Sequence, residues 1–158
     1  MIHFVKSTVD LIQIELDIIN SDKYFNRISK DKDEWTSIDL TAEINESLNM
    51  GAERFLIKDD DTYVGIIEFL MMNPNDGFTW LGLLTIKKEY QHKGYGKQAL
   101  HAFYKIMSDR EVNVFRIGVL SMNEPAHKFW RKQGFKEVRK TTMKDNKEIM
   151  IYEKCLEP

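Results

Sequence analysis

The sequence predicts one α+β domain over residues 1–158, built on a mixed sheet of about seven strands with helices on both faces. Three observations lead there. The 158 residues are 42% hydrophobic and 30% charged, with only 3 Pro and 8 Gly, so one core can be buried and little of the chain reads as disordered. The period of the apolar residues switches between strand and helix along the chain in the order β-α-α-β-β-β-α-β-α-β-β. Some consecutive strands are joined by short turns and others by helices, and hairpins beside crossovers imply a mixed sheet.

Ile2–Ser7 is a short β-type run. Ser7-Thr8-Val9-Asp10 has the Ser-x-x-Asp form of a capping box. The helix it would open carries Leu11, Ile14 and Ile18 on one stripe, with Val9, Ile12, Leu16 and Ile19 beside it. Lys23–Ser37 is the most polar stretch and is expected as an exposed connection, with Trp35 an isolated apolar residue. A second helix is predicted over Ile38–Met50, where Leu40, Ile44 and Leu48 fall four apart and Gly51 caps the end. Phe55-Leu56-Ile57 and Tyr63–Met72 are strands around the turn Lys58-Asp59-Asp60-Asp61, whose carboxylates suit solvent.

Asn73–Gly77 is the next turn and Phe78–Lys87 the next strand. After polar Lys88–Lys93 and Gly94-Tyr95-Gly96 comes a helix with Ala99, Phe103 and Ile106 on one side and Leu100 and Met107 adjoining. Val112–Leu120 is apolar and β-rich. Asn123 caps a short helix, with Pro125 in its first turn, that buries Ala126, Phe129 and Trp130 and stops at Gly134. Phe135–Thr142 and Ile149–Lys154 close the chain as strands around Lys144–Lys147.

Composition excludes several functions. Lys and Arg number 23 against 25 Asp and Glu, a formal charge of −2, so no net basic field for nucleic acid exists. No apolar run approaches the roughly 20 residues of a membrane span. Met1–Lys6 reads as a strand without the layout of a signal peptide. The single Cys rules out an intrachain disulfide framework and a multi-cysteine zinc site, and suits a reducing, cytoplasmic setting. No metal is expected, because His3 and His101 lack a paired ligand spacing, and Cys155 reads as an inert thiol.

The chemistry concentrates in Gln91-His92-Lys93-Gly94-Tyr95-Gly96-Lys97, between a strand and a helix. Two glycines in three residues let the backbone turn tightly and approach a ligand. The first turn of the helix then offers unpaired amides and the positive end of its dipole, a site for phosphate, and His92, Lys93 and Lys97 add donors or charge. Gly94 to Ala99 formally satisfies the dinucleotide fingerprint Gly-x-Gly-x-x-Ala. Six polar residues separate it from the preceding strand, however, and no acidic residue follows a second strand at the required distance. No Walker phosphate loop occurs. A pyrophosphate is the natural ligand, and a plain helix-starting turn is the alternative.

Leu84-Thr85-Ile86-x4-Gln91-His92-Lys93-Gly94-Tyr95-Gly96-Lys97 resembles motif A of the GNAT acetyltransferase superfamily, and Ile117-Gly118-Val119-x3-Asn123-Glu124-Pro125-Ala126-x2-Phe129-Trp130-x3-Gly134-Phe135 resembles its motif B. The two blocks stand in the family's order, and the elements before them match its topology across nearly the whole chain. The resemblance implies a mostly antiparallel sheet in αβα layers and an N-acetyltransferase that uses acetyl-CoA as co-substrate and an amine as acceptor, acting as a monomer or homodimer. It assigns the pyrophosphate to the amides of residues 91–97 and the pantetheine arm to the backbone of Leu84, Thr85 and Ile86. Asn123 matches a position that contacts the arm, and as a preferred N-cap it has a structural reason to be there as well.

The chemistry implied is direct attack of the amine on the thioester, with an oxyanion amide near Leu84–Ile86. Glu68 interrupts the apolar run Gly65–Leu70 and is the candidate base, since a carboxylate in such a strand acquires a raised pKa; alternation turning it to solvent or an ion pair is the competing reading, and a water chain would also serve. Family members often place a Tyr as acid where this chain has Trp130, leaving Tyr104 and Tyr152 as candidate substitutes. The missing phenol motivates a second reading, an acyl-CoA-binding regulatory module of the same fold. The acceptor would lie between Lys23–Ser37 and Thr141–Lys147.

Overall fold

The computed structural model describes residues 1–157. Seven strands, β1 (Ile2–Lys6), β2 (Glu53–Asp59), β3 (Thr62–Leu70), β4 (Thr79–Ile86), β5 (Val114–Leu120), β6 (Lys136–Thr142) and β7 (Glu148–Cys155), form one sheet in the order β1-β2-β3-β4-β5-β7-β6. Every neighbouring pair is antiparallel except β4 and β5, which run parallel. The helices are α1 (Ile12–Asn20), α2 (Lys23–Lys30), α3 (Ser37–Asn49), α4 (Tyr95–Asp109) and α5 (Glu124–Lys132). The expected α+β architecture is therefore observed.

Strand alternation divides the core between the two faces of the sheet. Ile66 packs with Ile18 of α1, Leu40 of α3 and Trp35. Its neighbour Ile67 joins Phe69 and Leu81 against Leu100, Phe103 and Met107 of α4 and Trp130 of α5. Gly65, between β2 and β4, is obligatory for the sheet. A Cβ there would lie deep inside contact distance of the Thr85 carbonyl oxygen and 2.9 Å from Ile86 Cδ1. Forcing atoms into a packed sheet costs about 1–3 kcal/mol. Gly65→Ala should therefore lower the unfolding free energy by that amount in a urea titration, with the midpoint moving to lower urea, and an unshifted midpoint would contradict the packing.

Two local expectations are corrected. Residues 23–37 are not a bare connection, because α2 forms there. Asp22 caps it by accepting from the Phe25 amide at 3.1 Å, and Asp31 ends it in a left-handed conformation (φ 61°). Asn26 is buried and donates from Nδ2 to the carbonyls of Ile19 and Asp33 at 3.1 Å each, tying the helix to its flanks. Such partners lie outside the eight-residue segment, and its apolar pattern is too short to reveal it. Ser7, secondly, does not cap a helix; its hydroxyl donates to Glu15, and a 3-10 turn at Val9–Leu11 precedes α1. The capping box belongs to α3, where Thr36 Oγ1 accepts from the Asp39 amide at 3.2 Å and Asp39 accepts from the Thr36 amide at 2.9 Å.

Candidate functional site

β4 and β5 pair only where they begin, at Thr79 with Phe115 and Trp80 with Arg116. Beyond that point they part. Each keeps its partner on the other side, β3 for β4 and β7 for β5, so the ladder survives while the two inner edges stay open. The indole of Trp80 sits at the fork, 3.5 Å from where a Cβ of Gly118 would be. Residues 81–86 and 117–120 line the resulting cleft of about 700 Å³, and their facing main-chain donors and acceptors are not spent on each other.

The N-terminus of α4 stands at the mouth of this cleft. Gly94 precedes it at φ 89° and His92 lies at φ 63°, a left-handed bend that few side chains tolerate. The first helical hydrogen bond runs from the Gln98 amide to the Gly94 carbonyl at 3.0 Å, and no side chain caps the helix. The amides of Tyr95, Gly96 and Lys97 thus have no partner within the helix, the positive end of the helix dipole lies at them, and all three residues line the cleft.

Side chains brace the loop. Gln91 donates from Nε2 to the Ile86 carbonyl at 2.9 Å. The Tyr95 hydroxyl donates to Asp59 Oδ2 at 2.6 Å, which holds the Asp59 carboxyl below its ordinary range and the Tyr95 phenol above its own. Of the expected cofactor residues, Leu84, Thr85, Ile86, Gln91, His92, Gly94, Tyr95, Gly96, Lys97 and Asn123 all line the cleft. Lys93 does not; its ammonium lies 5.7 Å from the centre of the Tyr90 ring. Asn123 lines the cleft and also caps α5, accepting from the Ala126 amide at 3.4 Å.

At the inner end, Glu68 pairs with Leu83 and Phe69 with Leu81, leaving Gly82 as the extra residue of a β-bulge. Glu68 Oε2 lies 3.8 Å from the Cβ position of Gly82. The apolar setting expected for Glu68 is not what surrounds it, because Arg54 Nη1 donates to its Oε1 at 3.0 Å. Arg54 Nε donates in turn to Glu15 Oε1 at 2.8 Å, and Ser7 donates to the other Glu15 oxygen. The Arg54 and Glu15 side chains are 1% and 0% exposed. Sequence reasoning missed Glu15, Arg54 and Gly82. Two signals were present: Glu15 sits three residues from both Ile12 and Ile18 in the apolar face of α1, and an isolated glycine inside a strand marks a bulge.

Neither candidate acid lines the cleft. Tyr104 is turned against Phe115; its hydroxyl is buried without a hydrogen-bond partner, and burial pushes its phenol far above the ordinary value. Tyr152 is fully buried and its hydroxyl lies 2.6 Å from His127 Nδ1. His127 Nε2 faces the carbonyls of Leu120 and Ser121 at 3.0 and 3.1 Å. Carbonyls only accept, so Nε2 carries the proton and Tyr152 donates to Nδ1. Burial raises the Tyr152 pKa as well. Trp130 does line the cleft, packed edge-on between Phe129 and Phe135 at 5.0 Å from each. Among the described residues no group of three or more His, Cys, Asp and Glu is placed to hold a metal, and no helix is long and apolar enough to cross a membrane.

The model of the Acetyltransferase (GNAT) family matches residues 16–135. The chain belongs to the GNAT acetyltransferase family. Known structures agree in fold. An acetyltransferase from Thermus thermophilus superposes with a TM-score of 0.79 at 22% identity, covering 99% of this chain and 97% of the other. The PaiA N-acetyltransferase of Thermoplasma acidophilum, in complex with coenzyme A, gives 0.70 at 24%, covering 98% and 99%. The spermidine N-acetyltransferase of Vibrio cholerae, in complex with CoA and spermine, gives 0.74 at 13%, covering 98% and 95%. No curated protein sequence matches the chain. In this GNAT acetyltransferase chain the two segments named for the acceptor do meet: Lys147, in the β6–β7 turn, donates to Asp31, just after α2, at 2.9 Å. Phe25, Trp35, Met143 and Asp145 line the cleft beneath that bridge.

Proposed function

We propose that the chain transfers the acetyl group of acetyl-CoA to an amine by direct attack within a ternary complex. The observation that carries this reading is the parting of β4 from β5 with the uncapped N-terminus of α4 at its mouth. A diphosphate there accepts from the amides of Tyr95, Gly96 and Lys97, and an amide-bearing arm pairs with the open edges of the two strands, which places the thioester toward the Gly82 bulge. Gly82, extra to the ladder, brings the strand's free amides to the inner end of the cleft, where one of them would meet the developing oxyanion.

Glu68 is the group placed to relieve the attacking amine of its proton. Its Oε1 is held by Arg54 and its Oε2 faces the bulge. The departing thiolate has an ordinary pKa near 8.5 and leaves without help from Tyr104 or Tyr152. Tyr104→Phe removes a buried hydroxyl that bonds to nothing, so kcat should stay within about twofold and stability should hold or rise. A large loss of kcat in that variant would return Tyr104 to the reaction.

The position of the two phenols away from the cleft, with Trp130 inside it, favours one second reading, a domain that binds acyl-CoA and transfers little. A thiol-release assay with acetyl-CoA and a panel of primary amines, run beside a CoA titration, separates the two. Amine-dependent release of CoA supports the transferase; tight binding with no release from any amine supports the binding module.

A further inference from the structure

Resting on the transferase reading above, we infer that the acceptor is a primary amine with an apolar body next to its nitrogen and a single positive charge, its amine end seated in a chamber behind Gly82 and not between residues 23–37 and 141–147. This chamber, of about 200 Å³, shares Ser47, Glu68, Trp80 and Gly82 with the main cleft. A molecule in it therefore touches Glu68, Trp80 and Gly82, which also line the main cleft. The chamber is about half open to solvent, so it fixes what surrounds the amine end of the acceptor and not the length of the whole molecule.

The lining sets the chemical class. Met50, Phe69, Leu70 and Trp80 supply hydrocarbon and aromatic surface. Two of the polar atoms are engaged, since Trp80 Nε1 donates to Asp76 Oδ2 at 2.9 Å and Asn73 Oδ1 accepts from the Asn75 amide at 2.9 Å; the Ser47 hydroxyl and the Asn73 side-chain nitrogen complete the polar lining beside Glu68. Trp80 is left with its ring face, which attracts a cation. Glu68 is the one titratable side chain in the lining. Arg54 is shared, with Nη1 on Glu68 Oε1 and Nε on Glu15 Oε1, and Glu68 Oε2 is left facing the Gly82 bulge. An ammonium there gains Glu68 Oε2. A carboxylate on the acceptor would meet Glu68 with no cation lining the chamber to offset it, and a second ammonium would find no second carboxylate.

Three acceptors that share a straight five-carbon amine test this by initial rates of CoA release at saturating acetyl-CoA: n-pentylamine, norleucine (the same amine with a carboxylate added on the carbon that bears the nitrogen) and 1,5-diaminopentane. Pentylamine should exceed both others in kcat/KM by about tenfold or more. Equal or faster use of norleucine or the diamine overturns the assignment while leaving the transferase reading intact. No release from any of a wide amine panel, in protein that still binds CoA, overturns the transferase reading itself and this assignment with it. Met50 is 51% exposed at the chamber wall, so Met50→Lys should fold normally. It is expected to raise the KM for pentylamine by about tenfold at an unchanged KM for acetyl-CoA; an unaltered amine KM places the acceptor elsewhere.

Discussion

The double variant Gly94→Val/Gly96→Val is expected to bind coenzyme A at least about 100-fold more weakly than the parent protein, measured by calorimetric titration. Gly94 sits at φ 89°, where a β-branched residue is a conformational outlier, so the turn that aims the first amides of α4 must reopen. At Gly96 a Cβ alone would already touch the Phe129 ring at 3.5 Å, so valine's two further methyls add bulk beside that ring at the helix start. Amide hydrogen bonds to a charged oxygen contribute about 1.5–3 kcal/mol each, so losing two of them accounts for a factor of about 10²–10⁴. Lys93→Ala is the contrasting control. Lys93 does not line the cleft, its ammonium lying 5.7 Å from the centre of the Tyr90 ring, and affinity should change by less than about fivefold. Unchanged affinity in the double glycine variant, with a cooperative melt in both proteins, would remove the α4 amides from the ligand site.

Glu68→Gln should lower kcat/KM by about 10²–10⁴-fold, the range over which a positioned base contributes, while the dissociation constant for CoA stays within about twofold. The amide is isosteric and its oxygen still accepts from Arg54, so the row from Ser7 through Glu15 and Arg54 keeps its hydrogen bonds. Only the second oxygen, beside Gly82, loses its ability to take a proton. A rate within threefold of the parent, under conditions where chemistry limits turnover, would shift the proton to water and leave Glu68 as a charge that attracts the acceptor.

Much of this site is legible in the residues themselves. The glycines at 94 and 96 stand between a strand and a helix, and that local grammar alone predicts the uncapped helix start that the structure shows, because free amides there need no distant partner. Asn123 announces its cap in the same way. Lys93 is the one expected cofactor residue that does not line the cleft, since charge in the sequence says nothing about which way a flexible side chain points. Tyr104 and Tyr152 mislead for a related reason: a phenol is a candidate acid only where it meets the substrate, and both are turned into the core. The α2 helix escapes notice because its stabilising contacts come from outside it.

From residue order alone came the alternation of periods, the turns, the phosphate-type loop and the class of fold, all of them set by interactions between residues near in sequence. The parting of β4 from β5, the bulge at Gly82, the row of Glu15, Arg54 and Glu68, and the chamber behind it were decided only by tertiary structure. Those features join residues 39 and 14 positions apart, or strands linked through a whole helix. Their energies come from burying charge beside countercharge and from edges held open by neighbours on the far side, and neither is visible until the chain has folded.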